Sequence, residues 1–135
     1  MASLAWNHST TVGIQVMDDQ HGILLDALNE LRVSLICGED WQIVRAMLVR
    51  VANLMRMHLV SEERLLERYS YPAMEAHRAE AQRLLGRLAV LDVSNKPWQM
   101  TSVFELVEYL RKWFTTHTGV AGQKYGPWLQ KCGVQ

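Results

Sequence analysis

Cysteine is scarce in this chain. Only Cys37 and Cys132 occur among 135 residues, far apart and without a Cys-x-x-Cys spacing. Two such thiols argue against a disulfide framework or a thiolate metal site, and both are expected to be reduced and unpaired. A charge excess is missing as well, because 14 basic side chains meet 14 acidic ones and the formal net charge is zero. A neutral domain lacks the basic field that a phosphate backbone requires, so no nucleic acid is expected as a partner. No apolar run is long enough to span a bilayer, and no charged-then-apolar leader opens the chain. The expectation is therefore a cytoplasmic protein with no membrane partner. Also absent are a Gly-rich phosphate loop, a serine or cysteine nucleophile with a paired base, and a carboxylate dyad. On these grounds the chain is not expected to be an enzyme.

What is present is globular. Hydrophobic residues make up 49% and charged residues 21%, enough apolar material for the core of a single domain spanning residues 1–135. Residues 1–16, with Trp6 and Gly13, show little periodicity and read as an extended arm over that core. Helices are expected over 18–37, 41–69, 72–90 and 99–118. The first is bounded by Asp18 as cap and Gly38 as stop, and carries His21, Leu24, Leu25, Leu28, Leu31 and Leu35 on one face. Asp40 caps the second, whose stripe runs Val44, Met47, Leu48, Val51, Met55, His58, Glu62, Leu65 and Leu66. Pro72 suits the first turn of the third, striped by Met74, His77, Ala81, Leu84, Leu85 and Leu88. A loop over Asp92–Trp98, holding Asn95 and Pro97, leads to the fourth, with Val103, Leu106, Leu110, Trp113, Phe114 and His117. Gly119, Gly122 and Gly126 with Pro127 argue against its continuation. Nothing reads as a strand. Four amphipathic helices with short connections give an all-α fold, an up-down-up-down four-helix bundle preceded by an N-terminal arm.

That topology gathers the chemistry. His21 and His77 lie near helix starts, while His58, Glu62 and His117 lie near helix ends, so all five fall at one end of the bundle and point inward. Burying so many polar groups together is costly unless they satisfy one another or bind a cation. His58 and Glu62 stand one helical turn apart on the same face, and bundles build inward-facing iron and manganese sites from such pairs. His8 lies in the arm outside this set and is read as exposed or capping. The seven methionines read as core fillers. The arginines of the second and third helices read as a solvated face rather than a binding stripe.

The chain resembles the bacterial hemerythrins, a four-helix family that binds dioxygen reversibly at a non-heme di-iron centre. The likeness spans nearly the whole length. It rests on Trp6 with Val12-Gly13, Met17-Asp18-Asp19-Gln20-His21, Asn29-Glu30-Leu31, His58 with Ser61-Glu62-Glu63, Tyr71-Pro72, His77, and Trp113 four residues before His117. The resemblance implies that His21 and His58 bind one iron, that His77 and His117 bind the other, and that Glu62 bridges them. It also implies two departures. A third histidine on the second iron would stand where this chain has Ala81, and a bridging aspartate where it has Gly122.

Two imidazoles and a carboxylate, His21, His58 and Glu62, suffice for mononuclear non-heme iron(II) with open coordination sites. The second position keeps only His77 and His117 and must share Glu62. One ion is therefore expected in preference to two, iron first, with zinc also tolerated by the ligand set. Trp113, one turn from His117, is expected to pack behind it. The implied role is binding of dioxygen, nitric oxide or a small anion at a mononuclear or weakened dinuclear centre. The alternatives are a metal-poor sensing or interaction module, and, last, a mononuclear iron enzyme. No protein partner is specified. Ala81→His with Gly122→Asp is expected to restore binding of two irons.

Overall fold

The computed structural model describes residues 3–7, 10–93 and 98–135. His8, Asn95 and Pro97 lie outside the described residues. The elements run α1 (Gln15–Ile36), α2 (Trp41–Arg68), α3 (Met74–Leu88), α4 (Val90–Val93), α5 (Met100–Thr116), a π-helical turn (His117–Ala121) and α6 (Gly122–Lys131). No strand occurs among the described residues. α1 packs on α2 and α5, and α2 packs on α3. The short connections between α1, α2 and α3 make those neighbours antiparallel. The fourth rod of the bundle is α5 continued through the π turn into α6.

Each helix passes through two apolar layers with a polar belt between them. The larger layer holds Leu24, Leu28 and Leu31 of α1, Leu48, Val51 and Met55 of α2, Leu84 and Leu88 of α3, and Val107, Leu110 and Phe114 of α5. The smaller layer holds Val12, Ile14, Met17, Leu66, Tyr125 and Leu129. The belt consists of His21, His58, Glu62, His77 and His117, all buried. Roughly 1.5–3 kcal/mol for each fully buried large apolar side chain offsets the desolvation of those five groups.

The observed helix ends differ from the expected ones for local reasons. Asp40 caps α2 as expected, its carboxylate accepting the Gln42 amide at 3.0 Å. Asp18 does not cap α1. Its carboxylate accepts the Val12 and Gly13 amides at 2.8 and 3.2 Å, so α1 opens at Gln15 and the acid tethers the arm. α3 starts at Met74, past Pro72, and stops at Leu88. The expected 92–98 loop is entered through the one-turn α4.

The largest correction concerns the fourth helix, which does not end at 118. Gly122 and Gly126 are not breaks but points of close approach. A Cβ on Gly122 would lie 2.4 Å from Val12 Cγ1, and one on Gly126 would lie 2.2 Å from the Val12 carbonyl oxygen. The arm crosses the rod where two glycines, one turn apart, leave room for it. Gln123 Nε2 donates to the Thr11 carbonyl at 2.9 Å, and Gln130 Nε2 donates to the Gly13 carbonyl at 3.0 Å. Tyr125 and Leu129, both fully buried, anchor α6 in the same apolar cluster as Val12, and Pro127 is exposed.

Candidate metal centre

The four helices bring all five candidate residues together, but not in equal roles. Nε2 of His21, Nε2 of His58, Nε2 of His117 and one oxygen of Glu62 form a fully buried group whose donor atoms all lie within 4.8 Å of one another. His58 Nε2 stands 3.1 Å from His21 Nε2 and 3.2 Å from His117 Nε2. Glu62 Oε2 is 3.1 Å from His58 Nε2, 3.0 Å from His117 Nε2 and 4.0 Å from His21 Nε2. His77 instead meets the other oxygen, Glu62 Oε1, through its own Nε2. The resemblance implied that His117 belongs with His77, whereas the geometry gathers it with His21 and His58.

The outer nitrogens explain why the inner ones face each other. His58 Nδ1 lies 2.7 Å from Gln20 Oε1, and Gln20 Nε2 in turn donates to Ser61 Oγ at 2.9 Å. The amide is thereby oriented with its oxygen toward the ring, and the His58 proton sits on Nδ1. His117 Nδ1 lies 3.3 Å from Glu80 Oε1, which fixes a proton there in the same way. Both rings consequently turn Nε2 lone pairs inward, as metal-binding imidazoles do when an outer acceptor sets the tautomer. The His58 and His117 lone pairs, 3.2 Å apart beside a buried carboxylate, repel unless a positive charge stands among them. The donor set therefore fits a single cation. It offers three imidazoles and a carboxylate, suited to iron or to zinc.

Without an ion, a proton supplies that charge. Burial works against a charged His117, but Glu62 and then Glu80 outweigh it and push its pKa up to about 9. Burial raises the Glu62 carboxyl, yet His117 and His58 hold it well below its ordinary range. His21 goes the other way, down to about 3, through burial and then through repulsion from His58 and His117. One proton on His117 thus does, less centrally, what a metal ion would do.

Ala81 and Gly122 are both buried, and no substitute ligand takes either place. Glu80 serves His117 from behind, and Gln123 ties down the arm. The volume at Gly122 is taken by Val12. This alters the expectation for Gly122→Asp, whose first side-chain atom would strike Val12. Trp113 stacks on His117 at 4.4 Å between ring centroids and 12° between planes, packing behind it as its spacing predicts.

Besides Glu80, two residues of the site were not evident from the sequence. Tyr125, fully buried, donates to Glu62 Oε2 at 2.7 Å. It lies past the expected helix end, eight residues after His117, a spacing off the face of an unbroken α-helix. The π turn absorbs one residue and brings the pair to an effective separation of seven. Gln20 has no periodic signal at all, being the neighbour of His21. A cavity of about 130 Å³ is lined by exposed Lys124 and Val120 and by buried His77 and Tyr125. It links the surface to the His77 side of the centre.

Residues 12–129 match the family model described as the hemerythrin HHE cation binding domain. A bacteriohemerythrin of Methylococcus capsulatus is 28% identical over 132 residues, covering 96% of this chain and 98% of that protein. One of Stenotrophomonas maltophilia is 28% identical over 125 residues, covering 93% and 80%. The crystal structure of wild-type hemerythrin superimposes with a TM-score of 0.79 at 23% identity, covering 93% of this chain and 97% of that one. That likeness speaks for the fold.

Proposed function

This chain belongs to the hemerythrin family, and from that premise we propose that it holds one iron ion among His21, His58, His117 and Glu62. The observation that carries the reading is the buried group of four donor atoms within 4.8 Å, two of whose imidazoles have their outer nitrogens committed to Gln20 and Glu80. Iron(II) in such a set keeps coordination positions open for a small molecule, with dioxygen, nitric oxide or a small anion the candidates. His77 takes no part in the four-atom group and holds the far oxygen of Glu62. Tyr125 fixes the near one, so the carboxylate presents Oε2 to the ion in a set orientation. Ala81 and Gly122 are read as the positions whose side chains would complete a second site.

Support for one ion rather than two comes from the His77 side. Among the described residues His77 is the sole imidazole paired with Glu62 Oε1, and the Gly122 position is filled by Val12. The module reading, in which the bundle serves interaction with little or no metal, draws on the proton that balances the cluster in the ion's absence. An enzyme ranks last, because the cavity beside His77, at about 130 Å³, is small against the roughly 300–1,000 Å³ of organic-substrate pockets.

Anaerobic titration of metal-free protein with iron(II), followed by metal analysis and absorption spectra under nitrogen, air and nitric oxide, tests the proposal. The expected result is saturation near one ion per chain and a spectrum that responds to nitric oxide. Failure to take up iron(II) leaves the module reading in its place.

A further inference from the structure

A second feature lies on the outside of the same end of the bundle. A groove of about 640 Å³ runs along the outer face of α2 beside the start of α1. Its apolar floor and rim include Val16, Met57 and Val60, which are 45%, 69% and 50% exposed, an uncommon degree of exposure for three neighbouring apolar side chains. Arg56, Arg64 and Arg68 also line it, and no carboxylate does among the described residues. The acids of the adjoining turns are engaged elsewhere. Glu63 and Glu67 both pair with Arg78, and Glu62 is buried in the centre. A protein of zero net charge thus sets arginines beside exposed apolar surface.

We propose that this groove docks an amphipathic helix of a partner protein, with apolar residues seated on Val16, Met57 and Val60 and flanking carboxylates paired with Arg64 and Arg68. Charge complementarity selects the occupant: an apolar strip edged by the exposed Arg64 and Arg68 guanidinium groups, with no carboxylate in the groove lining among the described residues, matches an apolar face edged by acids. From Arg56 to Arg68 the helix advances twelve residue steps, about 18 Å at 1.5 Å each, room for three turns of a partner. A second copy related by two-fold symmetry would set these arginines near their own counterparts, which disfavours self-association through this face. A flat anionic membrane fits a concave surface less well than a helix does. The position has a consequence, because Ser61 in the groove wall accepts the hydrogen bond from Gln20 that orients the amide against His58.

The test uses the full chain and a fluorescein-labelled 14-residue helical peptide carrying leucines at i, i+3, i+4 and i+7 with glutamates on either side. Anisotropy should show saturable binding that weakens with added salt. Arg64→Glu combined with Arg68→Glu should reduce affinity by ~10-fold or more, and Met57→Ser should reduce it independently; all three positions are exposed, and circular dichroism checks the fold. A peptide of the same composition with scrambled leucines should not bind. Lack of saturable binding, or affinity unchanged by charge reversal, overturns the proposal. So does arginine-dependent binding to phosphatidylserine-containing vesicles without binding to the peptide, which would make the face a membrane contact.

Discussion

The two oxygens of Glu62 face unlike neighbourhoods. Oε2 lies within 3.1 Å of His58, His117 and the Tyr125 hydroxyl, with His21 at 4.0 Å. Oε1 meets His77 alone among the hydrogen bonds and ion pairs of the described residues. One side of a single carboxylate is thus crowded with nitrogen and oxygen groups, and two of its imidazoles, His58 and His117, have their outer nitrogens held in place. The other opens toward a small cavity lined by His77 and Tyr125. The difference teaches that ligand count along the sequence is a poor guide to how a centre divides. Five candidate residues become four around one point and one apart, with His117 beside His58 and His21 and not with His77.

The comparison breaks most easily at the crowded side. Glu62→Ala or His117→Ala should abolish iron(II) uptake, a loss larger than the ~10–100-fold that follows removal of an outer hydrogen-bond partner. His77→Ala should retain one ion per chain. Equal loss in His77→Ala and His117→Ala, read by metal analysis, would erase the asymmetry.

The next largest effect concerns the sparse side. Ala81→His with Gly122→Asp should remain at one ion and be less stable by ~1–3 kcal/mol from overpacking, since a Cβ at 122 meets Val12 Cγ1. Adding Val12→Ala should recover stability and raise the stoichiometry to two. Thermal melts and metal analysis on the same samples separate the two outcomes.

Smaller losses should follow from the outer partners. Gln20→Ala and Glu80→Ala, each freeing the Nδ1 of one imidazole, should weaken metal affinity by ~10–100-fold without changing stoichiometry. If neither variant shifts a competition titration against a chelator, the tethers do not set the inner lone pairs.

Acidity supplies a further test. In metal-free protein the His117 pKa stands at about 9, above the ordinary value near 6.5. Its contribution to stability is therefore complete below about 6.5 and is lost as pH rises through 9. A metal ion displaces that proton, so apparent affinity should climb by about tenfold per pH unit up to roughly 9. Denaturant melts and zinc competition from pH 6 to 9 should thus move in opposite directions. Parallel movement would place the balancing charge on another group. The smallest effect is expected of Tyr125→Phe, which removes one hydrogen bond to a charged group and should cost about 1.5–3 kcal/mol of stability while leaving one ion bound.

Much of this was legible in the residues. Leucine periodicity located four helices, and the position of each histidine along its helix predicted convergence at one end. Side-chain spacing also placed Trp113 behind His117. What periodicity could not reach was any feature made by the chain departing from it. Gly119, Gly122, Gly126 and Pro127 read as a helix end because their cost is local, whereas the compensating contacts with Val12 and Thr11 come from more than a hundred residues away in sequence. Tyr125 was hidden by the same misreading and by the one-residue slip of the π turn. Asp18 has cap chemistry, but it satisfies amides of the arm rather than those of its own helix. Glu80 stands off the apolar face of its helix and carries no periodic signal. Its place behind His117 depends on how α3 and α5 face each other, and no single-helix pattern carries that.

The contact between Val12 and Gly122 also bears on which sequences can be reached from this one. A larger residue at 122 presses on Val12 Cγ1, so its cost is set by a residue of the distant arm and not by its neighbours on the helix. Val12→Ala would remove that pressure. The effects of substitutions at 12 and 122 are therefore expected to be non-additive, although more than a hundred positions separate them.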